Sequence, residues 1–221
     1  MKDEKIISVI VPAYNEERRI HKTLEKLKKE NIDEIVVVCD GGDKTAEISK
    51  GFDVKVIEFD ERLGKGNAIK KGLEVVRGNI VVFTDADFGF QDVDINSLTK
   101  KIGEYDIVLG VRKLEGIKKS HRKIVSRGLR FLTKNLLGLN IEDTQCGFKA
   151  FKKDVFEDII ENVNSGGYSF DIELLHVAKD KYKIGEIPVD WKITEHSKVN
   201  PFSDSIDVFF KLWEIKWKQR K

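Results

Sequence analysis

The sequence has few of the features that mark secreted, zinc-stapled or membrane-spanning chains. Only two cysteines, Cys39 and Cys146, occur in 221 residues, and they form no CxxC pair and no cluster with histidines. This excludes a disulfide framework and a structural zinc site, and both cysteines are interpreted as reduced core residues. No stretch of about 18 consecutive apolar residues is present, and the charged segment Met1–Lys5 does not lead into a signal-peptide core. We therefore expect a cytoplasmic chain that does not span a membrane.

A large excess of charge of either sign is also lacking. Lysine and arginine total 40 and aspartate and glutamate total 38, for a net charge of +2. No overall field therefore favours a nucleic acid polymer as a partner, and any basic patch must be local. The four histidines form no HExxH motif and no recognisable catalytic dyad, so we assign them no role.

The first hundred residues alternate β-branched apolar runs with amphipathic charged stretches. This alternation is typical of βαβ units and predicts an α/β fold with a doubly wound, mostly parallel sheet. The predicted strands are Ile6–Val11, Glu34–Cys39, Val54–Phe59 and Ile80–Phe83, and the predicted helices are Glu16–Glu30, Lys44–Lys50 and Asn67–Val76.

The second half of the chain is less regular, and no linker or repeat divides it. Its predicted elements are a polar loop over Lys113–Lys119, a helix over His121–Leu137, a strand over Phe148–Phe151, a helix over Phe170–Lys179 and a strand over Ile184–Val189. We expect one domain over residues 1–202, followed by an amphipathic helix over residues 203–221.

The terminal helix carries an aromatic stripe with basic residues around it. Its apolar residues recur at helical spacing, which places them on one face. That face either docks on the domain core or contacts a membrane surface, and the sequence leaves both interpretations open. The residues of the stripe are Ile206, Phe209, Phe210, Trp213 and Trp217.

Polar residues follow the predicted parallel strands, at the edge where open α/β sheets bind ligands. Asp85-Ala86-Asp87 follows the fourth strand, and Asp40 follows the second. Carboxylates two residues apart in an extended chain point to one side, so Asp85 and Asp87 can face one hard cation such as Mg²⁺ or Mn²⁺. Helix capping or a solvated turn is the structural alternative for this pair.

A glycine-flanked lysine, Gly64-Lys65-Gly66, opens a predicted helix. Backbone N–H groups and an ammonium at a helix start can approach a phosphate, although turn chemistry alone also accounts for the glycines. No G-x-G-x-x-G motif follows the first strand, and its absence argues against a dinucleotide-binding site.

Several of these segments, in this order, resemble the family 2 glycosyltransferases, in particular the branch of dolichyl-phosphate glucosyltransferase and dolichol-phosphate mannose synthase. The resemblance covers nearly the whole chain. The segments Asp143–Lys149 and Phe170–Leu175 resemble the glucosyltransferase more than the mannose synthase. The motifs that carry the resemblance are Val9–Glu17, Asp40-Gly41-Gly42, Gly64-Lys65-Gly66, Asp85-Ala86-Asp87, Asp143–Lys149 and Ser197-Lys198.

The resemblance implies a GT-A-type fold and a role for each matching residue. Asp85 and Asp87 would hold a divalent metal, Mg²⁺ or Mn²⁺, and Lys198 would reach the diphosphate of the donor. Gly42 departs from the family, in which serine is common at this position. The nucleotide-sugar site would consist of Pro12, Ala13, Tyr14, Glu16, Asp40, Lys65, Asp85 and Lys198.

The acceptor implied by the resemblance is a polyprenyl or dolichyl phosphate. A phosphate monoester with a second pKa near ~6 is already an oxygen nucleophile at neutral pH, so it requires cations rather than a general base. Arg127 and Arg130 near the implied acceptor segment are equally compatible with a solvated helix face. The residues assigned to catalysis are Asp87, Arg112, Arg122 and Ser126.

The sequence therefore predicts an inverting transfer of a hexose, glucose or mannose, from a UDP-glucose or GDP-mannose type of donor to a lipid phosphate. The protein would contact the cytoplasmic face of a membrane peripherally. Two alternatives remain open at this point. One is a sugar-1-phosphate nucleotidyltransferase, and the other is a catalytically silent nucleotide-sugar-binding module at a membrane.

Overall fold

A mixed β-sheet with helices packed on it forms the framework of the protein. The computed structural model describes residues 4–87, 95–112, 120–167, 169–190, 212–214 and 216–217, with the backbone alone for residues 120–127. The strands are β1 (Ile7–Ala13), β2 (Glu34–Cys39), β3 (Lys55–Glu58), β4 (Ile80–Thr84), β5 (Ile107–Arg112), β6 (Phe148–Lys152) and β7 (Ile184–Val189). The helices are α1 (Ile20–Leu27), α2 (Thr45–Lys50), α3 (Lys65–Leu73), α4 (Ile95–Lys101), α5 (Ser120–Leu137), α6 (Lys153–Ile160) and α7 (Phe170–Ala178).

The described strands form one seven-stranded sheet in the order β3-β2-β1-β4-β6-β5-β7. Strands β1 to β4 pair in parallel, with β2 beside β1, β3 beside β2 and β4 beside β1. Strand β5 pairs in parallel with β7. Strand β6 runs antiparallel to both of its neighbours, β4 and β5. The start of β6 therefore lies at the same edge of the sheet as the carboxyl ends of β1, β2, β4 and β5.

Hydrophobic clusters cover both faces of the sheet. In β1, Ile10 belongs to one cluster, while its neighbours Val9 and Val11 belong to the other. This explains the continuous apolar runs of the central strands, because a parallel strand between two helical layers is buried on both faces. On one face, the rings of Phe151 and Phe156 stack with their centroids 4.3 Å apart.

The predicted mostly parallel α/β sheet is confirmed, and the differences have local causes. The helix predicted from Glu16 begins only at Ile20, because Asn15 adopts a left-handed φ of 53° and turns the chain first. Strand β5 and helices α4 and α6 are absent from the prediction. In β5, Gly110 interrupts the apolar run that marks a strand, and a Cβ there would meet Cys146 Sγ at 3.2 Å. The loop predicted over 113–119 lies outside the described residues.

No described helix is both long enough and apolar enough to cross a membrane. Residues 212–214 and 216–217 are helical. Leu212 is fully buried in a core cluster, whereas Trp213 and Trp217 are 44% and 56% exposed. The other members of the predicted aromatic stripe, Ile206, Phe209 and Phe210, lie outside the described residues. The amphipathic helix over 203–221 and the boundary at residue 202 therefore stay predictions.

Candidate active site

The topology brings the polar residues that follow β1, β2 and β4 to one edge of the sheet. Asp40 follows β2 and Asp85 follows β4. The antiparallel course of β6 adds residues that no parallel arrangement would place there, because Thr84 is paired with Phe148 at this edge. The site is therefore built from both halves of the chain.

Asp40 fixes the turn that opens α3. Its buried carboxylate, 3% exposed, accepts hydrogen bonds at Oδ2 from the backbone N–H groups of Leu63 and Gly64, each at 2.9 Å. Gly64 has φ of 79°, a conformation that favours glycine because no Cβ crowds the backbone. The spacing of Gly64, Lys65 and Gly66 thus serves to start a helix beside the second strand and to bring Lys65 to the edge.

The ends of β1 and β2 are tied together by Asn15. Its side-chain oxygen accepts a hydrogen bond from the backbone N–H of Gly42 at 3.1 Å. A Cβ on Gly41 would lie 2.3 Å from the same oxygen, so the close approach requires glycine at position 41. This hydrogen bond and the close approach at Gly41 hold the turn after β2 against the turn after β1.

The other residues predicted for the nucleoside pocket lie along the end of β1. Pro12 is half-buried, Ala13 is buried and Tyr14 is exposed. The guanidinium carbon of Arg62 lies 4.3 Å from the centroid of the Tyr14 ring, within the range of a cation–π contact. This pair offers an aromatic face and a cation beside the turn fixed by Asp40.

Glu16 and Asp87 are linked by Arg19. The Arg19 guanidinium donates from Nε and Nη2 to the two carboxylate oxygens of Glu16, at 2.6 and 2.7 Å, and its Nη1 lies 3.7 Å from Asp87 Oδ2. Burial and the neighbouring charge of Asp85 raise the pKa of Asp87, because both disfavour a second negative charge there. Asp87 therefore lies in an environment that disfavours its charge unless a cation is close to it.

Lys65 lies between two carboxylates. Its Nζ is 2.9 Å from Asp85 Oδ1 and 2.8 Å from Asp171 Oδ2. Although burial disfavours the ammonium, the charges of Asp171 and Asp85 outweigh burial and raise the pKa of Lys65. Lys149, fully buried in β6, lies 2.5 Å from the other oxygen of Asp171. Two lysines and two aspartates therefore alternate from the interior to the site.

The donor atoms around Asp85 and Asp87 suit a hard divalent cation. Among the described residues, no three His, Cys, Asp or Glu side chains come together as a metal cage. Mg²⁺ is commonly bound by one or two carboxylates together with substrate phosphates and water. A pair of carboxylates with oxygen ligands only, open to a substrate, fits that coordination.

Arg112, at the end of β5, has an internal carboxylate partner. Its guanidinium donates to Asp143 from Nε at 2.6 Å and from Nη2 at 2.9 Å. The side chains of Arg122 and Ser126 on α5, which are predicted to act in catalysis, lie outside the described residues. All of Lys198, which is predicted to reach the donor diphosphate, also lies outside them. Their roles stay predictions.

Three residues at the site, Arg19, Lys149 and Asp171, have no role predicted from the sequence. Arg19 stands three residues after Glu16, a spacing at which helical side chains meet. Lys149 and Asp171 appeared only as parts of longer motifs. The available signal was an ionisable residue inside an apolar strand or at the start of an apolar helix, since such residues are rarely buried without a partner.

The sequence matches known proteins over most of its length. Residues 8–160 match the Glycosyl transferase family 2 domain. The chain is 32% identical to dolichyl-phosphate beta-glucosyltransferase of Dictyostelium discoideum, over 93% of this chain and 72% of that protein. It is 30% identical to glycosyltransferase AglD of Haloferax volcanii, over 96% of this chain, and spans 37% of AglD.

A solved structure shares the fold. Glucosyl-3-phosphoglycerate synthase from Mycobacterium tuberculosis, crystallised with Mn²⁺, UDP and glucosyl-3-phosphoglycerate, superposes with a TM-score of 0.76 at 20% identity. The match covers 97% of this chain and 81% of that one. At this identity the likeness concerns the fold, and the predicted GT-A-type architecture is confirmed.

Proposed function

The chain belongs to the family 2 glycosyltransferases, and from this premise we propose that it transfers glucose from UDP-glucose to a polyprenyl or dolichyl phosphate. The observation that carries the proposal is that Asp85 and Asp87 follow β4 at the carboxyl edge of the sheet, where the Lys65 ammonium lies 2.9 Å from Asp85. The choice of glucose over mannose is supported by relatives named dolichyl-phosphate beta-glucosyltransferase, such as the human protein at 32% identity over 90% of this chain.

The nucleotide end of the donor would lie against the ends of β1 and β2. Tyr14 and Arg62 present a flat face and a positive charge there, which suit a base and a phosphate. The Asp40 carboxylate holds the turn before Lys65. Lys65, at the start of α3, would place its ammonium and the helix N-terminus toward the diphosphate.

Asp85 and Asp87 would hold Mg²⁺ or Mn²⁺ together with the donor diphosphate. When bound, such an ion stabilises the negative charge that develops on a leaving nucleoside diphosphate. The two carboxylates keep separate cationic partners, Lys65 for Asp85 and Arg19 for Asp87. These partners would hold both side chains at the site.

The reaction would be a single displacement with inversion. An oxygen of the lipid phosphate forms a bond to the anomeric carbon, the bond from that carbon to the diphosphate oxygen breaks, and UDP leaves with the bonding electrons. The acceptor is ionised at neutral pH, so no general base is required. Arg122 and Ser126 on α5 and Arg112 on β5 are the proposed contacts of the acceptor phosphate.

Product analysis tests the proposal. Labelled UDP-glucose and GDP-mannose are incubated with a short polyprenyl phosphate, and the lipid product is identified by mass spectrometry. We expect glucosylated polyprenyl phosphate as the product, and we expect its formation to stop when EDTA is added. No pyrophosphate should be released from nucleoside triphosphates. Asp85→Asn and Asp87→Asn should each reduce turnover on the order of 100-fold, whereas Asp53→Asn, a fully exposed carboxylate, should not. Transfer at the wild-type rate with EDTA would remove the metal from the proposal.

The lipid acceptor also implies contact with a membrane surface. Trp213 and Trp217 are exposed beside the buried Leu212, and lysines follow them in the sequence. Exposed tryptophans with flanking basic residues suit the interface of an anionic membrane. We therefore propose peripheral binding at the cytoplasmic face through this terminal segment.

A further inference from the structure

We propose that Lys149 and Asp171 are positioning residues that make Asp85 share the Lys65 ammonium with Asp171, and thereby keep Asp85 able to bind a divalent cation. This rests on the proposed function. The contacts run in one line of alternating charge, from Lys149 through Asp171 and Lys65 to Asp85. Lys149 and Asp171 are assigned no contact with substrate, and they act on Asp85 through Lys65.

The interior end of this line is rigid. Lys149 is fully buried in β6, in register with Phe83 of β4 and Leu109 of β5. Its ammonium donates to the backbone oxygen of Cys146 as well as to Asp171. An ammonium enclosed in this way has no solvent alternative to its carboxylate, so Asp171 is held at a fixed point.

Asp171 is also fixed by its position at the start of α7. Its side chain is 5% exposed, and a carboxylate in the first turn of a helix is favoured by the helix dipole. The preceding residue, Phe170, packs so tightly on α3 that a Cβ on Gly66 would lie 2.5 Å from its ring. The starts of α3 and α7 are thus locked together, with Lys65 and Asp171 facing each other.

Lys65 is therefore shared between a fixed carboxylate and a more exposed one. The side chain of Asp85 is 41% exposed, against 5% for Asp171. If Asp171 were neutral, the Lys65 ammonium would pair with Asp85 alone and would compete with a cation for that carboxylate. A buried ion pair contributes little to stability compared with apolar residues of similar size, which is consistent with a positioning role for Lys149 and Asp171.

The double variant Lys149→Met with Asp171→Leu tests this idea. It removes one positive and one negative charge, so the net charge near the site is unchanged, and it leaves no buried ion without a partner. We expect a melting temperature close to that of the wild type. Binding of Mn²⁺ alone, measured by electron paramagnetic resonance without donor, should weaken by about 10-fold, the scale of the effect that residues behind metal ligands have.

Two further variants complete the test. Asp171→Asn keeps the shape of the side chain and should weaken Mn²⁺ binding similarly if the double variant does not fold. Lys152→Met is the control, because Lys152 also lies in β6 but pairs with Asp106, and it should bind Mn²⁺ as the wild type does. Wild-type Mn²⁺ affinity in the folded double variant or in Asp171→Asn would overturn the inference alone. Failure of the wild type to bind Mn²⁺ would overturn the proposed metal site and the inference with it.

Discussion

Gly147 and Asp85 are in such close contact that position 147 has no room for a side chain. A Cβ on Gly147 would lie 1.7 Å from Oδ2 of Asp85, and the backbone N–H of Asp85 donates to the oxygen of Gly147 at 3.1 Å. The residue that precedes β6 therefore forms one wall of the proposed metal site. This contact exists only because β6 runs antiparallel beside β4.

Gly147→Ala should displace the Asp85 carboxylate, since neither backbone can retreat from a paired strand end. We expect a loss of glucosyl transfer on the order of 100-fold, comparable to the loss of a preorganised electrostatic group, together with weaker Mn²⁺ binding. The control is Gly42→Ala, where a Cβ meets nothing within 4 Å. Initial rates of both variants at saturating substrate provide the measurement. Equal rates for Gly147→Ala and wild type would show that Asp85 is not required where it stands.

Two substitutions of Asp40 should separate its structural role from a role in donor binding. Asp40→Asn retains an oxygen that can accept the hydrogen bonds of Leu63 and Gly64, so its thermal stability should stay near that of the wild type. Asp40→Ala leaves these two N–H groups without that acceptor and should lower the free energy of unfolding by about 1 to 3 kcal/mol. If the carboxylate charge also contacts the nucleoside, UDP affinity measured by calorimetry should fall in Asp40→Asn. Unchanged UDP affinity in that variant would restrict Asp40 to the turn.

The Arg112–Asp143 pair should make stability depend on pH in a defined direction. Burial opposes ionisation of Asp143, but the Arg112 guanidinium outweighs it and lowers the pKa of that carboxyl. The folded pKa is thus below the unfolded value of about 3.9. The stabilisation from the pair is therefore fully present above that value and is lost as the pH falls through the folded pKa.

Arg112→Met removes the cation and should reverse this dependence. Asp143 would remain buried without its partner, its pKa would rise above the unfolded value, and ionisation would then oppose folding. We expect a loss of about 3 kcal/mol at pH 7, measured by urea unfolding, that shrinks as the pH approaches 4. Arg130→Met breaks an exposed pair with Glu142 and should cost less than about 1 kcal/mol at either pH. A loss for Arg112→Met that is the same at both pH values would contradict the assigned electrostatic role.

The terminal segment offers a matched comparison of neighbouring residues. Leu212→Ala should lower the free energy of unfolding by about 2 to 5 kcal/mol, because Leu212 is fully buried in the core. Trp213→Ala with Trp217→Ala should leave stability nearly unchanged and should reduce co-sedimentation with vesicles of phosphatidylglycerol and phosphatidylcholine. Transfer to a water-soluble acceptor analogue should persist. Vesicle binding equal to that of the wild type would place membrane contact on another surface.

Much of the fold could be predicted from the sequence, because its buried strands are recognisable as continuous apolar runs. The apolar runs at Val9–Val11 and Ile35–Val38 are required by burial on both faces of a sheet, and that requirement is visible in any one segment. Strand β5 gave a weaker signal, because Gly110 interrupts it. The direction of β6 gave none, since an apolar strand has the same pattern whether it runs parallel or antiparallel to its neighbours.

The candidate site also has features that follow from the sequence and features that only the tertiary structure reveals. The sequence by itself determined which groups stand at strand ends, such as Asp40 and Asp85, because the carboxyl edge of a parallel sheet follows from the order of strands and helices. Only the tertiary structure decided what those groups contact. The separation between Lys65 and Asp171 in the chain is 106 residues, and no local pattern encodes a contact across that distance. It arises from the packing of α3 against α7, which depends on the shapes of many side chains at once.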